Sequence, residues 1–120
     1  MFNSKIVAFS KYVPEKIVTN NDLSEIVDTS DEWIFSRTGI KERRVSTSEN
    51  TSEVCAKAAE ASIIKAGVSP DEIELIITAT MTPDYSSPST ACIIQKLIGA
   101  KKAVSFDLSA ACSGFVFALC

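Results

Sequence analysis

Cys112 is the residue whose surroundings point most directly to chemistry. It lies in "DLSAACSGFVFALC", residues 107–120. An extended-looking run, "KAVSFDLS" (102–109), stops there; two alanines precede the cysteine and Gly114 follows two places on. Strand, sharp turn, nucleophile and helix is a recurrent way to expose a reactive side chain. The first N–H groups of a helix have no intrahelical partner and carry partial positive charge. A thiol held there is expected to titrate below its free value of about 8.5, which raises the thiolate fraction at neutral pH. The same N–H groups suit the oxyanion that forms when a thiolate adds to a thioester carbonyl. Ala110, Ala111, Ser113 and Gly114 are small enough to let a substrate approach. Cys112 is therefore a candidate nucleophile for acyl transfer. A cysteine between alanines is also a common core filler, and on this segment alone that reading carries more weight.

The other thiols are Cys55, Cys92 and Cys120; no CxxC pair and no histidine are present, so no metal site is expected. Cys112 and Cys120, if both lie on one helix, are about 12 Å apart, too far for a disulfide. Reduced thiols fit a cytoplasmic protein. A second group with chemical potential is Trp33, followed by Arg37, Lys41, Arg43 and Arg44 against the single carboxylate of Glu42. It reads as a local basic patch on an acidic chain, suited to phosphates or an acidic partner. Taken alone, the indole reads rather as a half-buried core aromatic and the charges as a solvated loop, and those readings carry more weight.

These residues need a scaffold. The chain has 120 residues, 46% hydrophobic and 22% charged, with net charge −3. That supports one small globular domain and gives no electrostatic footprint for nucleic acid. The longest apolar run, Phe115–Cys120, is too short to span a bilayer. "MFNSKIVAFS" lacks the pattern of a signal peptide.

"KIVAFSKYVP" (5–14) reads as an opening strand, "TNNDLSEIV" (19–27) as a short capped helix, and "TSDEWIFSRTGI" as a helical turn from Ser30 ended by Gly39. "KERRVSTSEN" reads as a loop or short edge strand. "SEVCAKAAEASIIKAG" (52–67) is the clearest helix, with Asn50 and Glu53 as a capping box and Val54, Ala58, Ala61 and Ile64 on one face. "IELIITAT" (73–80) has the length of a strand and no alternation, which predicts burial on both faces in a parallel sheet. A turn-rich loop, a helix over 90–99 and the strand 102–109 follow. The alternation argues for α/β layering with a mainly parallel sheet.

"DTSDEWIFSRTGIKERR" (28–44) and "FDLSAACSGFVFAL" (106–119) strongly resemble the β-ketoacyl-[acyl-carrier-protein] synthase III family, and "ITATMTPDYSSPSTACIIQKLIGA" between them fits it too. The resemblance covers essentially the whole chain in the family's order. It reverses the weighting on Cys112 towards nucleophile. It implies a thiolase-like α/β fold, with residues 1–120 as the N-terminal portion of the first αβαβα half. It implies acylation of Cys112 by acyl-CoA, then condensation with malonyl-[acyl-carrier-protein] in the initiation of type II fatty-acid synthesis. Acyl-CoA is a substrate, so no cofactor is expected. The resemblance further implies that Trp33 stacks on the CoA adenine and that Thr29 and Arg37 contact the nucleotide. "TPDYSSPST" (82–90) matches a loop that lines the partner subunit's acyl pocket in a homodimer. Ser87 there replaces a bulkier residue common in the family, so a larger pocket and longer or branched primers are implied.

Condensation in the family uses a histidine and an asparagine from the second half, and this chain has no histidine. An apolar helix at 115–119 is expected to need cover on all sides. The chain is thus expected to be a fragment, inactive in condensation without the missing C-terminal portion. Two alternatives stand beside this: a related condensing enzyme of secondary metabolism on the same fold, or a non-catalytic piece.

Overall fold

A computed structural model describes residues 5–120. The chain forms two compact units: Val13–Glu49, and residues 50–120 with the described residues before Val13.

Val13–Glu49 contains β1 (Lys16–Thr19), α1 (Asn20–Ser24), α2 (Asp31–Thr38) and β2 (Glu42–Val45). The strands pair antiparallel, from Lys16 opposite Val45 to Thr19 opposite Glu42. Thr19 starts α1: its Oγ1 accepts from the Asp22 N–H, and the Asp22 carboxylate accepts from the Thr19 N–H at 2.7 Å. Hydrogen bonds from the Thr19 hydroxyl and N–H hold the Asp22 carboxyl below its usual range. Ser30 Oγ accepts from the Trp33 N–H at 3.1 Å and opens α2. Gly39 ends α2 at φ 70°, a left-handed position where a β-carbon is disfavoured.

Only Asn20 is buried in this unit, and it is polar. Arg43 donates to Asn20 Oδ1 and to the Val18 carbonyl, while Arg44 donates to the carbonyls of Pro14 and Glu15. Arg43 and Arg44, assigned by the sequence to a ligand-facing patch, therefore knit strands and loops together.

The second unit contains α3 (Thr51–Ala66), a 3-10 turn (Pro70–Glu72), β3 (Leu75–Ala79), α4 (Thr90–Ile98), β4 (Val104–Leu108), a 3-10 turn (Ala111–Ser113) and α5 (Gly114–Leu119). β3 and β4 are parallel, Leu75 opposite Val104 through Ala79 opposite Leu108. The loop 80–89 and α4 make the crossover, as parallel pairing requires. Glu53 accepts from the Asn50 N–H at 2.8 Å to start α3, and Gly67 ends it at φ 69°.

The core gathers Ala56, Ile94, Ile98, Ala100 and Ala103, with Cys55, Ala59, Ile63, Ile73 and Ile76 against them. The inward stripe of α3 is thus Ala56, Ala59 and Ile63; Ile64, expected inside, is 79% exposed. Alanines occupy several faces of α3, so periodicity defines a stripe without choosing it.

Two polar devices join α4 to β4. The Asp107 carboxylate accepts from the Thr90 and Ala91 N–H groups, both at 2.7 Å. Gln95 donates to the carbonyls of Ala100 and Ala103 and accepts from Ser105 Oγ. The first device satisfies two N–H groups that no helix can satisfy internally.

Two sequence expectations need correction. Residues 5–14 form no ladder; β1 begins at Lys16, and Ile6 and Phe9 are largely exposed. A strand exists only through a hydrogen-bonded neighbour, whereas this segment is held by side chains: Lys57 donates to Tyr12 Oη and Lys65 to the Phe9 carbonyl. β3 is not buried on both faces: Leu75 is exposed, Ile76 and Ile77 are half-buried, and Thr78 is buried. A two-stranded ladder has too little neighbouring structure to cover both sides of an apolar strand.

Asp107→Ala removes the acceptor for two N–H groups on buried residues, Thr90 and Ala91. The expected loss is about 2 kcal/mol or more of stability, read as a lower urea midpoint. An unchanged midpoint would show that the cap is dispensable.

Candidate functional site

β4 runs out at Leu108, whose carbonyl accepts from the Thr80 N–H at 3.2 Å, so the end of β4 stays tied to the end of β3. Beyond it the chain turns sharply. Ala110 sits at φ −137°, ψ 23°, and Ala111 at φ 45°, the one non-glycine residue with positive φ among the described residues. That conformation costs an L-residue about 1–2 kcal/mol, and strain of this kind concentrates at functional turns. The turn closes on itself: the Ser113 N–H and Oγ both donate to the Ala110 carbonyl, at 3.1 and 2.7 Å.

Cys112 stands in this turn and is exposed. The sequence reading placed it at the first positions of a longer helix. Regular α-helix starts only at Gly114, after the reversal at Ala111, and α5 has six residues. Gly114 allows the turn to press onto the sheet: a β-carbon there would lie 2.8 Å from Ala79 Cβ.

The other cysteines sit in different settings. Cys92 Sγ accepts from Ser89 Oγ at 3.1 Å and Cys120 Sγ approaches the Val116 carbonyl at 3.4 Å. Cys55 is half-buried; burial first, then the charges of Asp84 and Asp107, push its thiol up from the usual value. Ser87 is exposed on the loop 80–89, whose base is anchored by Asp84 accepting from the buried Ser52 N–H and by Thr51 Oγ1 donating to the Thr82 carbonyl.

In the Val13–Glu49 unit the structure brings together Thr29, Trp33 and Arg37. Thr29 and Trp33 line a cleft of about 710 Å³ with Leu23, Val27 and Ile34. Thr29 Oγ1 is buried there without a hydrogen-bond partner. A buried unpaired hydroxyl carries a desolvation cost that a polar ligand atom would relieve. Trp33 is 54% exposed, and the Arg37 guanidinium lies 4.5 Å from its ring centroid, a cation–π stack. Trp33, Arg37 and Ser36 also line a smaller cleft of about 270 Å³. The indole therefore borders open space at two clefts, which is what a base-stacking residue needs. Lys41 lies over Phe35 at 5.3 Å, so it too has an internal partner.

The sequence reading missed the supports of both sites. Asp107 stood in plain view within "FDLSAAC", but only the fold shows its carboxylate facing α4. Asn20 lies within "TNNDLSEIV", which reads only as a short capped helix; Thr19 is the cap, and Asn20 is buried.

Two outcomes are expected. Gly114→Ala should destabilise by about 1–3 kcal/mol through overpacking, and adding Ala79→Gly should recover part of the loss in a double-mutant cycle; strictly additive losses would mean that the close approach is immaterial. In timed iodoacetamide labelling at pH 8, Cys55 should react last. A thiol pushed up has less thiolate at that pH, and labelling should accelerate as pH rises further. Cys55 labelling before the exposed cysteines would contradict its environment.

No protein-family model matches the chain. Individual proteins do. The chain is 61% identical to the β-ketoacyl-[acyl-carrier-protein] synthase III of Clostridium acetobutylicum over 119 residues, 99% of this chain and 37% of the relative. It is 56% identical to the synthase III of Enterococcus faecalis over 116 residues, 97% of this chain and 36% of that protein. Among solved structures, 3-oxoacyl-[acyl-carrier-protein] synthase III from Aquifex aeolicus superposes with a TM-score of 0.95 at 50% identity, over 98% of this chain and 38% of the other. The priming β-ketosynthase of the R1128 polyketide pathway gives 0.92 at 36% identity, over 96% and 35%. The fold is thus the thiolase-like α/β arrangement that the sequence motifs imply. Over nearly its whole length the chain is thus similar in sequence and fold to β-ketoacyl-[acyl-carrier-protein] synthase III proteins, and it spans a little over a third of the length of those relatives.

Proposed function

We propose that this chain is the N-terminal portion of the first thiolase-like domain of a condensing enzyme that initiates type II fatty-acid synthesis. The observation that carries this is the exposed Cys112 on a strained turn at the end of β4, inside a motif shared in order and spacing with the family. Cys112 Sγ attacks the carbonyl of acyl-CoA. The tetrahedral oxyanion collapses, the carbon–sulfur bond to CoA breaks, and the CoA thiolate takes up a proton. Malonyl-[acyl-carrier-protein] then loses its carboxylate as CO2. The electron pair left on its α-carbon attacks the acyl-cysteine thioester, giving 3-oxoacyl-[acyl-carrier-protein] and returning the Cys112 thiolate. Donors for that second step lie in the remainder of the enzyme, which on this reading also covers Phe115, Val116, Phe117 and Leu119, all largely exposed here.

Trp33, Thr29 and Arg37 hold the nucleotide end of CoA: indole against base, hydroxyl to a polar edge, guanidinium to phosphate. Ser87 takes the role of an acyl-pocket residue across a homodimer, where its small side chain admits longer or branched primers. A cytoplasmic location is part of this reading. Among the described residues no helix is long and apolar enough to cross a membrane. The likeness to a priming polyketide ketosynthase supports a second reading, the same acyl transfer serving secondary metabolism.

The test is incubation of the complete protein with radiolabelled acyl-CoA and peptide mapping of the adduct. Label on Cys112, lost in Cys112→Ser, is the expected outcome. Label on Cys55, Cys92 or Cys120, or label that survives Cys112→Ser, would defeat the assignment.

A further inference from the structure

We propose that Asn20 is a positioning residue that sets the nucleotide-binding helix α2, and thereby governs affinity for the CoA end of the acyl donor without touching it. The inference rests on the reading of Trp33 and Arg37 as nucleotide contacts.

Asn20 is 1% exposed, the only buried residue in its unit. Its side-chain amide reaches three segments at 2.7 Å each. Nδ2 donates to Asp31 Oδ1 and to the Ile40 carbonyl, and Oδ1 accepts from Arg43 Nη2. The chemistry fixes the orientation of the amide, because a carboxylate and a carbonyl only accept and a guanidinium only donates. Asp31 is the first residue of α2, and Ile40 follows the Gly39 cap at its other end. One side chain thus holds both ends of the helix that carries Trp33 and Arg37. The Asn20 N–H adds a bond to the Lys41 carbonyl at 3.3 Å, and Arg43 also reaches Val18, so the amide joins α2 to the β1–β2 ladder.

The unit has no apolar core to do this work, since none of its hydrophobic side chains is buried. A hydrogen-bond clamp is directional where apolar contact is not, so it fixes the rotation of α2 as well as its distance. Rotation decides where the Trp33 face and the Arg37 guanidinium point. Asparagine is the residue this geometry demands. Aspartate would set a carboxylate against Asp31 and the Ile40 carbonyl, and alanine would leave buried donors and acceptors unpaired.

The experiment compares two acyl donors on the complete protein: acyl-CoA, and the same acyl group on pantetheine, which lacks the nucleotide. Asn20→Asp should raise KM for acyl-CoA about tenfold or more, the scale that small misplacements of binding groups produce, with kcat held and acyl-pantetheine kinetics unchanged. Asp31→Asn should give a smaller shift in the same direction. Asn20→Asp combined with Asp31→Asn reverses the polarity of that hydrogen bond and should recover part of the acyl-CoA KM. Equal losses with both donors would show a general structural role and overturn the proposal, as would no loss with either.

Trp33→Ala separates the two levels of the argument. If it fails to distinguish acyl-CoA from acyl-pantetheine, the nucleotide site itself is misassigned. If it does distinguish them and Asn20→Asp does not, only the role of Asn20 falls. Should Asn20→Asp fail to fold, Asp31→Asn carries the test: a selective rise in acyl-CoA KM supports the clamp, and an unselective change or none refutes it.

Discussion

The acceptance of two backbone N–H groups by the Asp107 carboxylate is the interaction on which the larger unit depends. α4 begins at Thr90 with donors that no residue of the helix can satisfy, and Thr90 and Ala91 are fully buried, so water is not available to them. β4 supplies the acceptor. The consequence runs in both directions along the chain. Backwards, it fixes where α4 starts and therefore which faces of Ile94 and Ile98 enter the core. Forwards, it holds the end of β4, three residues before the reversal at Ala110 and Ala111. Gln95, bonded to Ala100, Ala103 and Ser105, repeats the tie at the other end of the helix. The turn that exposes Cys112 is thus built on a strand held at both ends by polar contacts, and it stays close to the sheet because Gly114 has no β-carbon to strike Ala79.

The unit Val13–Glu49 solves a similar problem with other means. It is 37 residues from end to end by its bounds, buries one asparagine and no hydrophobic side chain, and relies on directional bonds. Below about 40 residues an apolar core seldom suffices. Arg43 and Arg44 are used for cohesion here, bonded to carbonyls of the opposite strand and its approach. This leaves Arg37, stacked on an exposed indole, as the guanidinium best placed beside the clefts around Trp33.

Local features of the fold were legible because local physics sets them. Ser30 before α2, Asn50 and Glu53 at α3, and Gly39 as a left-handed helix stop all act within a few residues of themselves. Long-range choices were less legible. The stripe of α3 that enters the core is not the one periodicity suggests, because alanines make several stripes equally apolar. The segment 5–14 has strand composition and no ladder, because composition carries no information on whether a neighbouring strand is present. The basic run 37–44 looked ligand-facing, because charge in a sequence does not reveal which carbonyl lies within reach.

By itself the sequence determined the helices, the strands β3 and β4 and their order, the identity of Cys112 as the thiol at a strand-to-helix junction, and the family motifs around Trp33. Each follows from short-range spacing or from residue identity. Tertiary structure alone decided that Ala111 takes a left-handed conformation, that Gly114 must remain without a side chain, that Asp107 serves α4, and that Asn20 spans both ends of α2. The last three depend on partners 11 to 35 positions away in the chain, from Asn20 and Asp31 to Ala79 and Gly114. Hydrogen bonds and steric contacts act over a few ångströms of space, and only the folded chain brings such distant residues within that range.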